Sequence, residues 1–379
     1  MNVAARSVKP LTGAGVLVVL ALAVLTSSAS AVSWLPHSLN FPSGITQEKL
    51  FGVGCSSSTT CTAVGQDYNG TWGAHAESGW GSGWVFQTGV TRHAPGATID
   101  VLYGSSCPTT TFCMTVGSAS TSGPPSSITQ AKTGSSWIPY GTGLPPGATM
   151  SEFNSVSCLS ATWCMAAGWK MVSGTGRPWA MGFNGSSWSD TNAVATVDSV
   201  MRGISCPTTT YCVAVGYMGS TAMAQVWNGF GWVATPAVAV PAGGTNYILN
   251  SISCVSTSWC LSVGTYHSPS GDRAIASLWN GSTWTSKPNL PWGSGTGAAG
   301  YGVSCLSTTM CHAVGQTAAT MPLAAAWDGT TWALETTPLA PGATNAVLRG
   351  ISCISATRCE ATGWSLFGGT PTGLIETYS

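Results

Sequence analysis

Short apolar runs, parted by turn-forming residues, recur along this chain in a fixed order. Each round opens on a run such as Ser251-Ile252-Ser253 or Gly350-Ile351-Ser352 that leads into a cysteine. Small turn-formers follow, for example Pro207-Thr208-Thr209-Thr210, and then a second cysteine. The next apolar run ends on glycine, as in Val213-Ala214-Val215-Gly216 and Ala313-Val314-Gly315. After a variable loop, a third run closes on a turn and a tryptophan. Trp227-Asn228-Gly229 leads to Trp232, Trp279-Asn280-Gly281 to Trp284, and Trp327-Asp328-Gly329 to Trp332. Asn-Gly and Asp-Gly favour tight hairpin turns whose central residues take positive φ. A proline-rich tail then leads into the next round. The pattern predicts four antiparallel strands per round, A to D. The cysteines close the A–B hairpin, and the Asn-Gly turn closes C–D.

The cysteines count the rounds. All 14 fall into Cys-x5-Cys pairs: Cys55/Cys61, Cys107/Cys113, Cys158/Cys164, Cys206/Cys212, Cys254/Cys260, Cys305/Cys311 and Cys353/Cys359. The period is about 50 residues, and four strands in that length is the size of a β-propeller blade. The last round has strands A and B and a C-like run, Leu374-Ile375-Glu376-Thr377-Tyr378, and then stops. Near the other end, Ser33-Trp34-Leu35-Pro36-His37 is similar to the D strands Ser136-Trp137-Ile138-Pro139-Tyr140 and Thr331-Trp332-Ala333. A first strand that completes the last round closes a ring and removes an exposed sheet edge. Residues 32–379 are therefore expected to form an all-β, seven-bladed β-propeller. Each blade has four antiparallel strands and one disulfide, and the N-terminal strand completes the last blade.

Residues 1–31 have a different character. Arg6 and Lys9 precede an uncharged apolar run over residues 13–26, and Ala29-Ser30-Ala31 supplies a small-x-small cleavage pattern. That is the form of a secretory signal peptide, and the run is short for a membrane span, which takes about 20 residues. A secreted, extracellular protein follows. Export supplies the oxidising compartment that disulfides need, and cysteines facing across a hairpin have the right separation. Zinc would need four ligands per site, yet only Cys311 has a histidine beside it, His312. Redox pairs take the form Cys-x-x-Cys. The cysteines are thus read as structural, and neither a metal nor a cofactor is expected.

Charge narrows the partners. The chain has 12 basic and 12 acidic side chains, only 6% charged residues between them. No basic surplus exists to hold phosphates, so nucleic acid is not an expected partner. The expected state is a monomer whose partner is an extracellular glycan or protein.

The turn-and-tryptophan segment resembles the Asp-box of sialidase-like propellers, Ser-x-Asp-x-Gly-x-x-Trp. Its closing Gly-x-x-Trp is carried by Gly134 and Trp137, Gly185 and Trp188, Gly229 and Trp232, Gly281 and Trp284, and Gly329 and Trp332. The opening half departs from that pattern, since Asp328 abuts its glycine and Asn or Thr stands there elsewhere. The whole repeat also resembles those of secreted actinobacterial-type proteins. Both resemblances imply a fold, because the Asp-box is a structural turn. Sialidase chemistry does not carry over: it would need three arginines on a carboxylate, a Tyr–Glu nucleophile pair and an acidic proton donor. No Gly-x-Ser-x-Gly or His-Glu-x-x-His motif is present either.

Aligning the rounds on the first cysteine locates a candidate site. Four residues upstream lie Phe51, Tyr103, Asn154, Arg202, Asn250, Tyr301 and Arg349, polar or aromatic in every round. Two residues upstream lie Val53, Ser105, Val156, Ile204, Ile252, Val303 and Ile351, which suit packing between blades. Strand A lines the channel of a propeller, so the first set is expected at the channel mouth. The B–C loops should add Asp67, Tyr68, Trp169, Lys170, Tyr217, Tyr266, His267, Asp272, Arg273 and Trp364 to that face. Trp169 and Trp364 stand outside the Trp-x-x-x-x-Trp register and are the better ligand candidates. Aromatic faces beside amides suit sugars. The expected function is a binding module for carbohydrate or cell-wall and surface partners. Two alternatives are a polysaccharide-acting enzyme and an adhesive surface protein with no small ligand. No catalytic residue is assigned: Asp67 and Asp272 lie four rounds apart, and Glu152 has no evident acidic neighbour.

Overall fold

The computed structural model describes residues 32–39, 42–91, 98–120, 123–194, 198–292, 297–317 and 319–379. The signal peptide expected over residues 1–31 lies outside them. Among the described residues all regular structure is β-strand. Five sheets have four strands; a sixth has eight and joins the first two rounds through a single parallel bridge, Trp72 to Ile99.

Every round has the expected antiparallel order. In the fourth, strand A is Ser199–Thr208, B is Tyr211–Met218, C is Thr221–Trp227 and D is Trp232–Ala234. Its B strand is apolar without alternation because both faces are covered, as in any strand buried between two layers. Val213 and Val215 pack with Leu249 and Ile252 of the fifth round. Cys212 and Ala214 pack with Met165 and Ala167 of the third and with Met201. Ile204 belongs to that second cluster, so the residue two before the cysteine serves packing between rounds.

The last round is completed from the other end of the chain. Trp34–Ser38 pairs antiparallel with strand C of that round, Thr370–Tyr378, with Trp34 opposite Tyr378 and Ser38 opposite Leu374. Trp34 is 1% exposed, and its Nε1 donates to Glu335 Oε2 at 2.9 Å.

All seven Cys-x5-Cys pairs are disulfides, with Cα atoms 4.0 Å apart. They close the A–B hairpins as expected, and the second cysteine of each also belongs to the core. The second cysteines, Cys61, Cys113, Cys164, Cys212, Cys260, Cys311 and Cys359, are all buried, none more than 2% exposed. Five of their partners, Cys55, Cys158, Cys254, Cys305 and Cys353, are only half-buried. The difference follows from position: the second cysteine lies on strand B, which is covered on both faces, and cysteine is among the residues most readily buried whole. Cys61 packs with Leu50 and Ala63, Cys260 with Leu249 and Ile275, and Cys359 with Leu348 and Ala361. Cys113 reaches the neighbouring round, its Sγ lying 3.4 Å from Thr62 Oγ1. In the five rounds with a half-buried first cysteine the disulfide therefore ties the rim of a hairpin to the packing between rounds, while Cys107 and Cys206 are buried as well.

The C–D turns differ from expectation in one respect. Asn228 stands just before the two central residues, and its backbone N–H donates to Gly231 O at 3.1 Å. Its Oδ1 accepts from the Phe230 and Gly231 amides, both at 3.0 Å. Only the glycine, Gly229, has positive φ, at 91°. The asparagine is favoured as a cap for the loop amides, as in Asx turns, and takes no left-handed conformation itself.

Candidate functional site

One residue of each A strand drops out of the ladder to strand B. The register steps from Leu50 to Gly52, Leu102 to Gly104, Phe153 to Ser155 and Met201 to Gly203. It steps likewise from Leu249 to Ser251, Gly300 to Gly302 and Leu348 to Gly350. The residues left unpaired are Phe51, Tyr103, Asn154, Arg202, Asn250, Tyr301 and Arg349. They are β-bulge residues, and a bulge re-aims the side chain it carries.

The glycine that ends each B-strand run is the counterpart of the bulge. Gly216 faces Met201 across the ladder, and a Cβ at Gly216 would run into the carbonyl oxygen of Val200. Gly65 stands in the same relation to Lys49, Gly117 to Val101, Gly168 to Glu152, Gly264 to Ile248, Gly315 to Ala299 and Gly363 to Val347. The close backbone approach at the bulge excludes any side chain there.

All seven bulge residues line one cavity of about 250 Å³, together with the residues two and three before each first cysteine. The bulge side chains are not equivalent. The Arg349 guanidinium lies over the Tyr301 ring at 3.8 Å and over Trp364 at 5.1 Å. Phe51 meets Tyr103 and Trp364 edge-on, at 5.5 and 5.6 Å. Asn154 Nδ2 donates to Met201 O and Asn250 Nδ2 to Gly300 O, each at 2.8 Å, so these amides tie neighbouring rounds together. Burial lowers the pKa of Arg349, the Tyr301 hydroxyl opposes that, and Arg202 adds to it. Arg349 Nε is buried without a hydrogen-bond acceptor.

A second cavity, of about 380 Å³, adjoins the first through Arg202. Trp169 lines it with Glu152, Asp198 and Tyr217. Trp169 Nε1 donates to Glu152 Oε1 at 3.5 Å and Ser118 Oγ to Oε2 at 3.3 Å. Burial raises the Glu152 carboxyl above its ordinary value against these donors and Arg202. Tyr103 is pushed up to about 12, by burial first and then by the Glu152 charge. Arg202, Tyr103 and Glu152 thus couple the two cavities electrostatically.

Trp169 therefore lines the second cavity, whereas Trp364 lines neither and backs Phe51 and Arg349 of the first. Two B–C residues depart from the exposed rim expected of them. Asp67 is fully buried and bonds His75 Nδ1 at 3.0 Å, while Tyr266 is buried and stacked on Tyr247 at 5.3 Å. Sequence reasoning missed Asp198. Its place just before strand A, in a connection on the same face as the B–C loops, was the available signal.

No protein-family model matches this chain, and no curated protein matches it in sequence. Solved structures are similar in outline. A mutant Aleuria aurantia lectin in complex with Fucα1-6GlcNAc is 12% identical, covering 79% of this chain and 100% of its own, at a TM-score of 0.46. Trypanosoma rangeli sialidase is 7% identical over 92% of this chain, with a TM-score of 0.47, and the match spans 60% of the sialidase. A protein of unknown function from Dyadobacter fermentans is 9% identical over 91% of this chain and 98% of its own, at a TM-score of 0.49. At TM-scores under 0.5 these likenesses decide nothing about this chain, whose all-β repeat architecture stands on its own strand register.

Proposed function

We propose that this chain is an exported bacterial seven-bladed β-propeller that binds carbohydrate, or a sugar-bearing wall or surface partner, in the cavity ringed by the bulge residues. One observation carries the reading: seven bulge residues, one per round, line a single cavity. Aromatic faces there meet sugar C–H groups, while the amide oxygens of Asn154 and Asn250 accept from hydroxyls and guanidinium groups bond hydroxyls or a sugar carboxylate. The volume suits one terminal sugar, being smaller than the roughly 300–1,000 Å³ of pockets for larger ligands. Seven disulfides support an extracellular setting. Among the described residues no helix is long and apolar enough to cross a membrane. Purified protein on a glycan array should bind a defined set of terminal sugars, competed by the free monosaccharide. Uniform absence of binding would favour the adhesive alternative.

The second cavity favours a second reading. Glu152, with its raised pKa, and Asp198 line it together, and glycoside hydrolysis takes two carboxylates, one of them a proton donor. Reducing-sugar release from a polysaccharide panel, lost in Glu152→Gln, would establish it. A flat panel removes it.

A further inference from the structure

The first round carries a cluster that no other round shares among the described residues. Its strand A, Gln47–Ser57, holds Glu48; strand B, Thr60–Tyr68, holds Asp67; strand C, Trp72–Gly79, holds His75 and Glu77. Glu48 pairs with Asp67, Gly65 with His75 and Ala63 with Glu77, which places all four side chains on one face. That face looks toward strand C of the last round, because a Cβ at Gly373 would strike the Glu48 carboxylate. The cluster lies at the seam where the ends of the chain meet. All four residues are buried, none more than 2% exposed.

The hydrogen bonding there is incomplete in an informative way. Asp67 Oδ2 lies 3.0 Å from His75 Nδ1, which fixes the proton on that nitrogen. The lone pair on Nε2 then faces carboxylates: it contacts Glu48 Oε1 and lies 3.3 Å from Glu77 Oε1. Neither Glu48 oxygen nor Glu77 Oε1 has a hydrogen-bond donor. Among the described residues, no lysine or arginine pairs with Glu48 or Glu77. Protonating Nε2 would match one of those charges and leave the other in a dry seam, which is costly. A divalent cation satisfies everything at once. It accepts the Nε2 lone pair, neutralises both glutamates and leaves Asp67 to orient the imidazole, the usual carboxylate–histidine–metal arrangement.

We propose that Glu48, His75 and Glu77 bind one divalent metal ion that holds the ring at its closing seam. The ligand atoms lie within 4.8 Å of one another; two bonds of about 2.2 Å reach about 4.4 Å at most, so the carboxylates draw in slightly around the ion. Imidazole argues against calcium and magnesium, which take oxygen ligands, and the mixed nitrogen–oxygen set suits zinc. The ion acts structurally, with both oxygens of Glu48 available to supply the third and fourth bonds of a closed zinc site: it fixes the face of the first round on which the last round packs.

The test measures metal content and melting on the full secreted chain. After dialysis, elemental analysis should find about one zinc per chain. Stripping with dipicolinate should lower Tm, and ZnCl2 should restore it while MgCl2 does not. Both His75→Ala and Glu77→Gln should lose the zinc and its effect on Tm, whereas Glu376→Gln should keep both. If His75→Ala does not fold, the near-isosteric Glu77→Gln and zinc competition against a chromogenic chelator carry the test. Melting indifferent to Zn²⁺, Mn²⁺ and Ca²⁺, with no ion bound one to one, overturns the proposal and makes the cluster a proton-sharing one. Zinc held equally well by Glu77→Gln overturns the ligand set.

Discussion

The Cys55 amide donates to Ser352 Oγ at 3.1 Å, joining residues 297 positions apart. The same bond, from a cysteine N–H to the serine before the previous round's cysteine, recurs around the molecule. Cys158 bonds Ser106 at 2.9 Å, Cys206 bonds Ser157 at 3.1 Å, and Cys254 bonds Ser205 at 3.0 Å. Cys305 with Ser253 and Cys353 with Ser304 follow, both at 3.0 Å. The last round therefore meets the first through the contact that joins the others. Only Cys107 lacks the serine, since Gly54 stands in its place.

Ser352→Ala removes one such bond at the closing junction and should cost about 1 kcal/mol. Deleting residues 32–39 removes the strand that covers Thr370–Tyr378 and should cost far more, with aggregation through the bared edge. Thermal melts of the two variants should rank in that order. Equal melting would mean that the first strand does not hold the last round.

Gly216→Ala drives a methyl group into the Val200 carbonyl and should destabilise by about 3 kcal/mol. Gly231→Ala meets nothing within 4 Å and should be nearly neutral. Urea melts separate the two, and a silent Gly216→Ala would disprove the tight approach at the bulge.

Burial pushes the Glu376 and Glu360 carboxyls up to about 8; the Gly81 amide and Thr377 hydroxyl ease Glu360 back, and Glu376 has no donor. Unfolded glutamate titrates near about 4.3. Between these values the folded state holds protons that the unfolded chain has released. Their stabilisation is full below the unfolded value and is lost as pH rises through about 8. Tm should fall from pH 5 to pH 8, and Glu376→Gln should raise Tm at pH 8 while flattening the profile. A Tm rising over that range in wild type and unaffected in Glu376→Gln would contradict the assignment.

Each disulfide closes a loop with a sequence separation of 6, worth about 2 kcal/mol by chain entropy. Replacing Cys158 and Cys164 together by serine should lower stability by at least that amount in a chemical melt, because a hydroxyl then stands in the core at position 164. Replacing both by alanine removes the bond without that hydroxyl and should cost less. Cys164 is fully buried, so native-state reduction should also be slow. Equal losses in the two double variants would mean that the buried half of the bond contributes nothing beyond closure.

The repeats were the readable part of this chain. Cys-x5-Cys spacing marked the A–B hairpins, and the resemblance of the Trp34 segment to the D strands located the strand opposite Tyr378. The spacing did not show that Cys61, Cys113, Cys260 and Cys359 sit in the core, since burial on strand B depends on the neighbouring round. Counting back from each cysteine found Arg202 and its six counterparts because those positions vary while their neighbours do not. The bulge that unites them was not readable, since a ladder step depends on pairing between strands. Whatever occurs once was lost as well. Glu48, His75 and Glu77 stand apart in the chain and meet only through register, and Asp67 was placed on a rim when it is buried beside them. Asp198 escaped for the same reason, having no repeat to announce it.

The central claim is that the bulge ring binds a ligand. Its most direct measurement is calorimetric titration of the array's best sugar into wild type and into the Arg202→Ala, Arg349→Ala double variant, with melts of both. Stacking of the partly desolvated Arg349 on Tyr301 contributes about 1–2 kcal/mol, so the account expects a modest drop in Tm and at least a tenfold loss of affinity. Unchanged affinity in a folded double variant would contradict it. So would a collapse in Tm, which would make the arginines parts of the scaffold.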